Sequence, residues 1–167
     1  MVLPLACLLL AQAPALSVEG DVPKPETFTV AQLQALGPPQ KASWKNHGQV
    51  HSVEGVALDA LLTRAGFDPG AMGPDVPKDK KRAGWKKAVI ATAADGYEAV
   101  FSCAEVMPAM GPTKVLVVWS LDDKPLPADA GPLRLVSLTD LEGARSIHSL
   151  RKLTVVDVRR AVGRTAP

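Results

Sequence analysis

The stretch Gly131–Val155 (GPLRLVSLTDLEGARSIHSLRKLTV) brings Arg134, Arg145 and His148 close together along the chain. A planar guanidinium presents paired N–H donors that match the oxygens of a phosphate or carboxylate. An imidazole adds a donor whose charge depends on pH. Together these groups suit a pocket for an anionic organic ligand. In Leu133-Arg134-Leu135-Val136 the two-residue period of a strand sets Arg134 opposite Leu133 and Leu135, on the face it shares with Val136. If that face meets solvent, Arg134 is an ordinary surface charge; the other reading places it in the wall of a pocket for an anionic ligand. Arg145 and His148 share a face if their segment is helical and oppose each other if it is extended.

Other residues invite weaker readings. His47 and His51 have the spacing of helical metal ligands, but Gly48 and the alternating context favour a strand, on which the two rings do not converge. Cys103 follows Phe101-Ser102; a lone thiol is either a soft metal ligand or a small buried hydrophobe. Lys78, Lys80, Lys81, Arg82, Lys86 and Lys87 form a basic run around Trp85. Such a run is either a solvated loop or a docking patch for an acidic partner or anionic substrate. The chain carries no phosphate-binding Walker loop, dinucleotide fingerprint, nucleophile elbow or HExxH motif.

These groups must be positioned by a chain of 167 residues, enough for one domain with a sizeable core. Its hydrophobic fraction of 47% and charged fraction of 22% are those of a folded protein. Aromatics at 4% leave little to stack on bases, and a net charge of +2 calls for no polyanion, so nucleic acid is not expected as a partner. The opening MVLPLACLLLAQAPALS has an apolar run, Val2 to Leu10, followed by small residues in the Ala-x-Ala pattern. It reads as a secretory signal over residues 1–15, too short to span a bilayer, and implies a periplasmic or secreted protein. The remainder divides into a domain over 16–160 and a tail over 161–167, with Cys103 as the only cysteine past the leader and so no internal disulfide.

Within the domain, Leu16–Val22 alternates and ends in a proline-rich turn. Thr29–Leu36 reads as a short capped helix stopped by Gly37-Pro38-Pro39. One or two polar strands fall in 40–53, and Leu58, Leu61, Leu62 and Ala65 recur at helical spacing before Gly66. A proline- and glycine-rich loop covers 68–84. Two strands flank Asp95-Gly96, a hairpin signal. Ser102–Val106 suits one helical turn, and strands follow at 114–120, 133–136 and 150–158. Strands dominate without alternating with helices, which gives an α+β class, mainly β.

The order of these pieces resembles the sulfite-oxidase-type molybdopterin-binding domain. LSVEGDVPKPETFTVAQLQAL is similar to its opening strand, Gly-x-Val-x-x-Pro turn and helix. EGVALDALLTRAG resembles its Gly-Val-x-Leu-x-x-Leu-Leu segment, and DGYEAVFSCAEVM its strand-to-turn segment. LDDKPLPADAGPLRLVSLTDLEGARSIHSL follows its Gly-x-Pro-x-Arg and Gly-Ala-Arg segments in order. The resemblance implies a mixed, mostly β fold and a pterin-bound molybdenum used for oxo-transfer redox chemistry. It puts Arg134, Arg145, His148 and Tyr97 at the cofactor pocket and implies a redox partner docking on Lys78–Lys87. The family's molybdenum-ligating Cys lies before the Gly-Val-x-Leu segment, where this chain reads QKASWKNHGQVHSVEGV, with Ser43 and Trp44 in its place. A serine hydroxyl is a harder and poorer donor than thiolate, which leaves Cys103 as the candidate substitute ligand. Two functions follow: an exported molybdopterin-dependent oxidoreductase, or a cofactor-free periplasmic binding or interaction module that kept the scaffold and lost the metal site.

Overall fold

A computed structural model describes residues 15–163, apart from 71–73, 78, 79, 113 and 142. The proposed leader up to Pro14 and the end of the tail lie outside the described residues, as does Lys78 of the basic run. Ala15 is buried, and its N–H donates to the Phe28 carbonyl.

The described residues fold into two five-stranded sheets. The first contains β1 (Leu16–Gly20), β2 (Glu26–Phe28), β5 (Lys87–Ala93), β6 (Glu98–Ser102) and β10 (Leu150–Asp157), in the order β2-β1-β10-β5-β6. The second contains β3 (Gln40–Asn46), β4 (Gln49–Ala57), β7 (Val115–Leu121) and β8 (Lys124–Pro125) in sequence order, with β9 (Arg134–Ser137) also paired to β7. Strand β1 runs parallel to β10, so the two ends of the domain close the first sheet together. The helices α1 (Val30–Gln34), α2 (Leu58–Arg64), α3 (Cys103–Val106) and α4 (Val158–Ala161) are all short. The class is α+β and mainly β, with few short helices and mixed sheets, as the sulfite-oxidase-like reading expects.

The inner faces of the sheets share one core. Val18 of β1, Val89 and Ala91 of β5, Phe101 of β6 and Leu153 of β10 meet Val117 of β7 and Leu133 and Leu135 beside and within β9. Leu58, Leu61 and Leu62 of α2 close one end of it. Helix α1 starts on a capping box, in which Thr29 Oγ1 accepts the Gln32 N–H and Gln32 Oε1 accepts the Thr29 N–H. Strand β7 (VLVVWSL) is apolar on both sides because both its faces are covered. Its outer face joins Trp44 of β3, Val53 of β4 and Val136 of β9 in a second, smaller apolar cluster.

That second cluster bears on the open reading of the Arg134 face. The period of two does put Arg134 opposite Leu133 and Leu135, but the face it shares with Val136 is not a water face. Arg134 is only 6% exposed. Among the strands and α-helices, three were not anticipated. The three-residue β2, the two-residue β8 and the four-residue α4 are too short to impose a period on the sequence.

Candidate functional site

A cavity of about 500 Å³ opens between the β3–β4 turn, the β5–β6 turn and the segment after β9. Arg134, His148 and Tyr97 line it, together with Asn46, His47 and Asp95. Arg134 and His148 come together through backbone pairing. The Leu135 N–H donates to the Ile147 carbonyl and the Ile147 N–H to the Leu135 carbonyl, both at 2.9 Å. Antiparallel pairing at Leu135 and Ile147 sets His148 directly across from Arg134, and cross-strand neighbours project to the same face. The buried Ser146 hydroxyl adds a tie by accepting the Ser137 N–H at 3.2 Å.

The guanidinium of Arg134 lies 4.4 Å from the centre of the Trp44 ring. Its Nε is fully buried with no hydrogen-bond acceptor, and among the described residues no carboxylate pairs with it. Burial draws its pKa downward, but a guanidinium remains charged at neutral pH. The imidazole of His148 is held below its usual value by burial and by the Arg134 charge, against the upward pull of Asp129 and Asp95. It is therefore neutral at pH 7. Acidification through its pKa adds a second positive charge beside Arg134. Affinity for an anion should rise as pH falls through that range and decline as pH rises through the pKa of the bound state. Titrations of wild type and His148→Gln with inorganic phosphate across pH 5 to about 8 isolate this contribution, which the Gln variant lacks.

The remaining walls are built by turns. His47 (φ 46°) and Gly48 (φ 81°) form the two-residue connection between β3 and β4, the left-handed geometry that suits a tight hairpin. Asn46 and His47 thereby reach the cavity. Asp95-Gly96 makes the expected β5–β6 turn, with Asp95 Oδ1 accepting the Tyr97 N–H at 2.9 Å. Tyr97 Oη donates to the Ala144 carbonyl at 2.7 Å, so its hydroxyl fixes the 3-10 turn Gly143–Arg145 at the rim. A Cβ on Gly143 would lie 3.0 Å from Asn46 Oδ1, and glycine there lets the two rims approach. From sequence alone Asn46 and Asp95 read only as strand or turn residues, and His47 only as one of a histidine pair that a strand keeps apart, since polar hairpin tips look solvated.

Arg145 goes elsewhere. The 3-10 turn ends at Arg145, the chain pairs with β9 at Ile147, and the two side chains diverge. Arg145 makes a two-pronged contact with Asp140 at 2.6 and 2.8 Å and donates to Glu105 at 2.8 Å. It lies 4.7 Å from the centre of the Phe101 ring. The two carboxylates raise its pKa, and it in turn holds Asp140 below the usual carboxylate range. With its donors engaged in this way, it ties α3 to the β9 connection and contributes nothing to the Arg134 cavity. The histidine pair is also apart, as the strand reading expects. His51 Nδ1 lies 2.9 Å from Asp122, and only His47 reaches the cavity.

Cys103 begins α3 and packs in the core between the sheets, away from the cavity lining. Burial pushes its thiol up to about 12, so it stays protonated at neutral pH and is a poor metal ligand or nucleophile. Iodoacetamide should leave Cys103 unmodified in the folded protein and alkylate it fully in concentrated guanidinium, as read by peptide mass mapping. Rapid alkylation of the native protein would contradict this placement.

These observations test the pterin cofactor in two halves. Its anionic organic part fits, because a buried guanidinium without an acceptor faces a cavity large enough for a small ligand. A thiolate-held metal does not fit. Ser43 is exposed on the face of β3 opposite Trp44, and the indole of Trp44 packs against Arg134. Among the described residues, no three His, Cys, Asp or Glu side chains are grouped to hold a metal ion.

Comparison with known proteins gives a consistent picture of the fold. A search of curated proteins finds no match. Among solved structures, the sulfane dehydrogenase SoxCD from Paracoccus pantotrophus is similar with a TM-score of 0.63 at 20% identity. The similarity covers 85% of this chain and 38% of that one, so the chain spans well under half the length of this structural relative. The family model described as the oxidoreductase molybdopterin-binding domain matches residues 9–162, nearly the whole chain, and the protein belongs to that family.

Proposed function

We propose that this protein binds a phosphorylated organic anion of the pterin class in the Arg134 cavity, without a protein thiolate on any metal. It is thus a ligand-binding member of a redox family. One observation carries the reading: Arg134 is buried, charged and unpaired at the wall of a cavity that a small organic molecule can enter. A desolvated charge is costly unless something compensates it. Trp44 compensates in part through its ring face, and an anionic ligand supplies the rest. His148, directly across, supplies a second donor. Asn46 and His47 offer further polar contacts on the opposite rim.

Family membership supports the alternative, in which the cofactor supplies molybdenum and oxo-transfer redox chemistry. The donor set of the cavity speaks against it, because the family's ligand segment presents Ser43 outward and Cys103 lies in the core. We further propose export from the cytoplasm, on the strength of the apolar Val2–Leu10 run and the Ala-x-Ala sites after it. A redox partner on the Lys78–Lys87 segment belongs with the oxo-transfer alternative.

Purification from a host that makes the cofactor tests the choice, with released pterin phosphate measured by mass spectrometry and molybdenum by elemental analysis. The expected result is bound organic phosphate well in excess of molybdenum, lost in Arg134→Met. Near-stoichiometric molybdenum that disappears in Cys103→Ser would overturn the proposal.

A further inference from the structure

We propose that the end of the first sheet where β10 stops and β5 begins is a docking surface for an acidic protein. In the antiparallel register Asp157 faces Lys87. The 3-10 turn Ala83–Lys86, which leads into β5, and α4, which follows β10, therefore lie at the same end of the sheet although far apart in sequence. The turn and its approach bring Lys80, Lys81, Arg82 and Lys86, and α4 adds Arg160.

The charge here is unbalanced. Asp21 is paired with Lys87 at 3.1 Å, Asp157 is engaged with Arg159, and Asp68, beside Gly84, accepts the Gly70 N–H, so none of the three makes an ion pair with the other cations. Elsewhere several cations are matched, as in Lys41 with Glu54 and Asp123, Arg64 with Glu26, and Lys152 with Glu19. Lys80, Lys81, Arg82, Lys86 and Arg160 make no ion pair among the described residues. A chain of net charge +2 thus concentrates positive potential at one end, which steers an oppositely charged partner and fixes its approach.

The surface also has an apolar component. Arg82 lies 5.1 Å from the centre of the Trp85 ring, and Val158 and Val162 are 44% and 65% exposed. An aromatic and an arginine held together are typical anchors of protein interfaces. Two valines are too little apolar surface to hold a bilayer. The cations lie on the 3-10 turn, its approach and α4 instead of tracking a groove, which does not suit a nucleic-acid backbone. An acidic protein face with an apolar centre fits best. The inference does not depend on the ligand in the Arg134 cavity.

The test uses the full chain and a synthetic peptide of interleaved Asp, Glu and Leu residues as the probe. Vesicles of equal phosphatidylglycerol and phosphatidylcholine and a short DNA duplex serve as competitor classes. The peptide should bind, and K80E/K81E/K86E should weaken it at least tenfold, with a steep loss in salt. Trp85→Ala should weaken it severalfold at constant charge. The distant reversal K45E/K124E/R151E should change affinity less than threefold. The proposal is overturned if the peptide does not bind, if the distant reversal costs as much as the local one, or if vesicles or DNA bind more tightly. Organic phosphate content should be the same in the Lys80, Lys81 and Lys86 variant as in wild type, so failure here is distinguishable from failure of the cavity reading.

Discussion

Arg134→Met should make the protein more stable while reducing its affinity for an organic phosphate. Arg134 is 6% exposed, its Nε is fully buried, and it has no carboxylate partner among the described residues, so the fold carries its desolvation with only the Trp44 face in return. Cation–π contact with a desolvated ring offsets about 2 kcal/mol, whereas moving a charge out of water costs several kcal/mol. Methionine is long and polarisable enough to fill the site against Trp44. A gain of about 1–2 kcal/mol in unfolding free energy is expected, within the range seen when buried ionic groups give way to apolar ones. Loss of a charge-assisted hydrogen bond should weaken anion binding by about 10- to 100-fold. Arg145→Ala should do the reverse. It leaves Asp140 and Glu105 without their cation, lowering stability by about 1 kcal/mol after allowing for its partial exposure, and should leave binding intact. Urea denaturation and calorimetric titration of both variants check the pair. An Arg134→Met protein that is much less stable than wild type would refute the premise that the charge is uncompensated.

Gly55→Ala should be among the most damaging single substitutions in the domain. A Cβ there would lie 2.2 Å from the Val117 carbonyl oxygen and 2.7 Å from Val118 Cα. Both are backbone atoms of the neighbouring strand, so no side chain can rotate away. The β4–β7 register already shifts between Glu54 and Gly55, and β7 also pairs with β9 on its other side. The strands must separate, at an expected cost of about 3 kcal/mol or more. That is a large part of the roughly 5–15 kcal/mol that holds a domain together. Gly37→Ala is the matched control, since nothing lies within 4 Å of a Cβ there. It should shift stability by less than about 0.5 kcal/mol. Urea midpoints measure both, and equal midpoints would contradict the close approach at Gly55.

The sequence was most legible where one local rule decided the outcome. The apolar run of β7 announced a strand. Leu58, Leu61 and Leu62 announced α2, and Asp95-Gly96 the β5–β6 turn. The glycine of the Gly-Val-x-Leu resemblance proved to have a physical cause in the closeness of Val117. The site was less legible, because its properties depend on what covers each face. A period of two selected the face of Arg134, but Trp44, from a strand far earlier in the chain, packs over it. Arg145 and His148 looked alike along the chain. Their divergence depends on where a three-residue turn ends. Asn46 and His47 reach the cavity only because the hairpin tip folds over the Gly143 turn, a contact between distant segments.

The most direct test is calorimetric titration of the cofactor-free protein with a pterin monophosphate, in wild type and Arg134→Lys. The account predicts one saturable site in wild type and markedly weaker binding in the lysine variant, which keeps the charge and loses the forked donors. Equal affinity in the two proteins, or no binding to either, would contradict it.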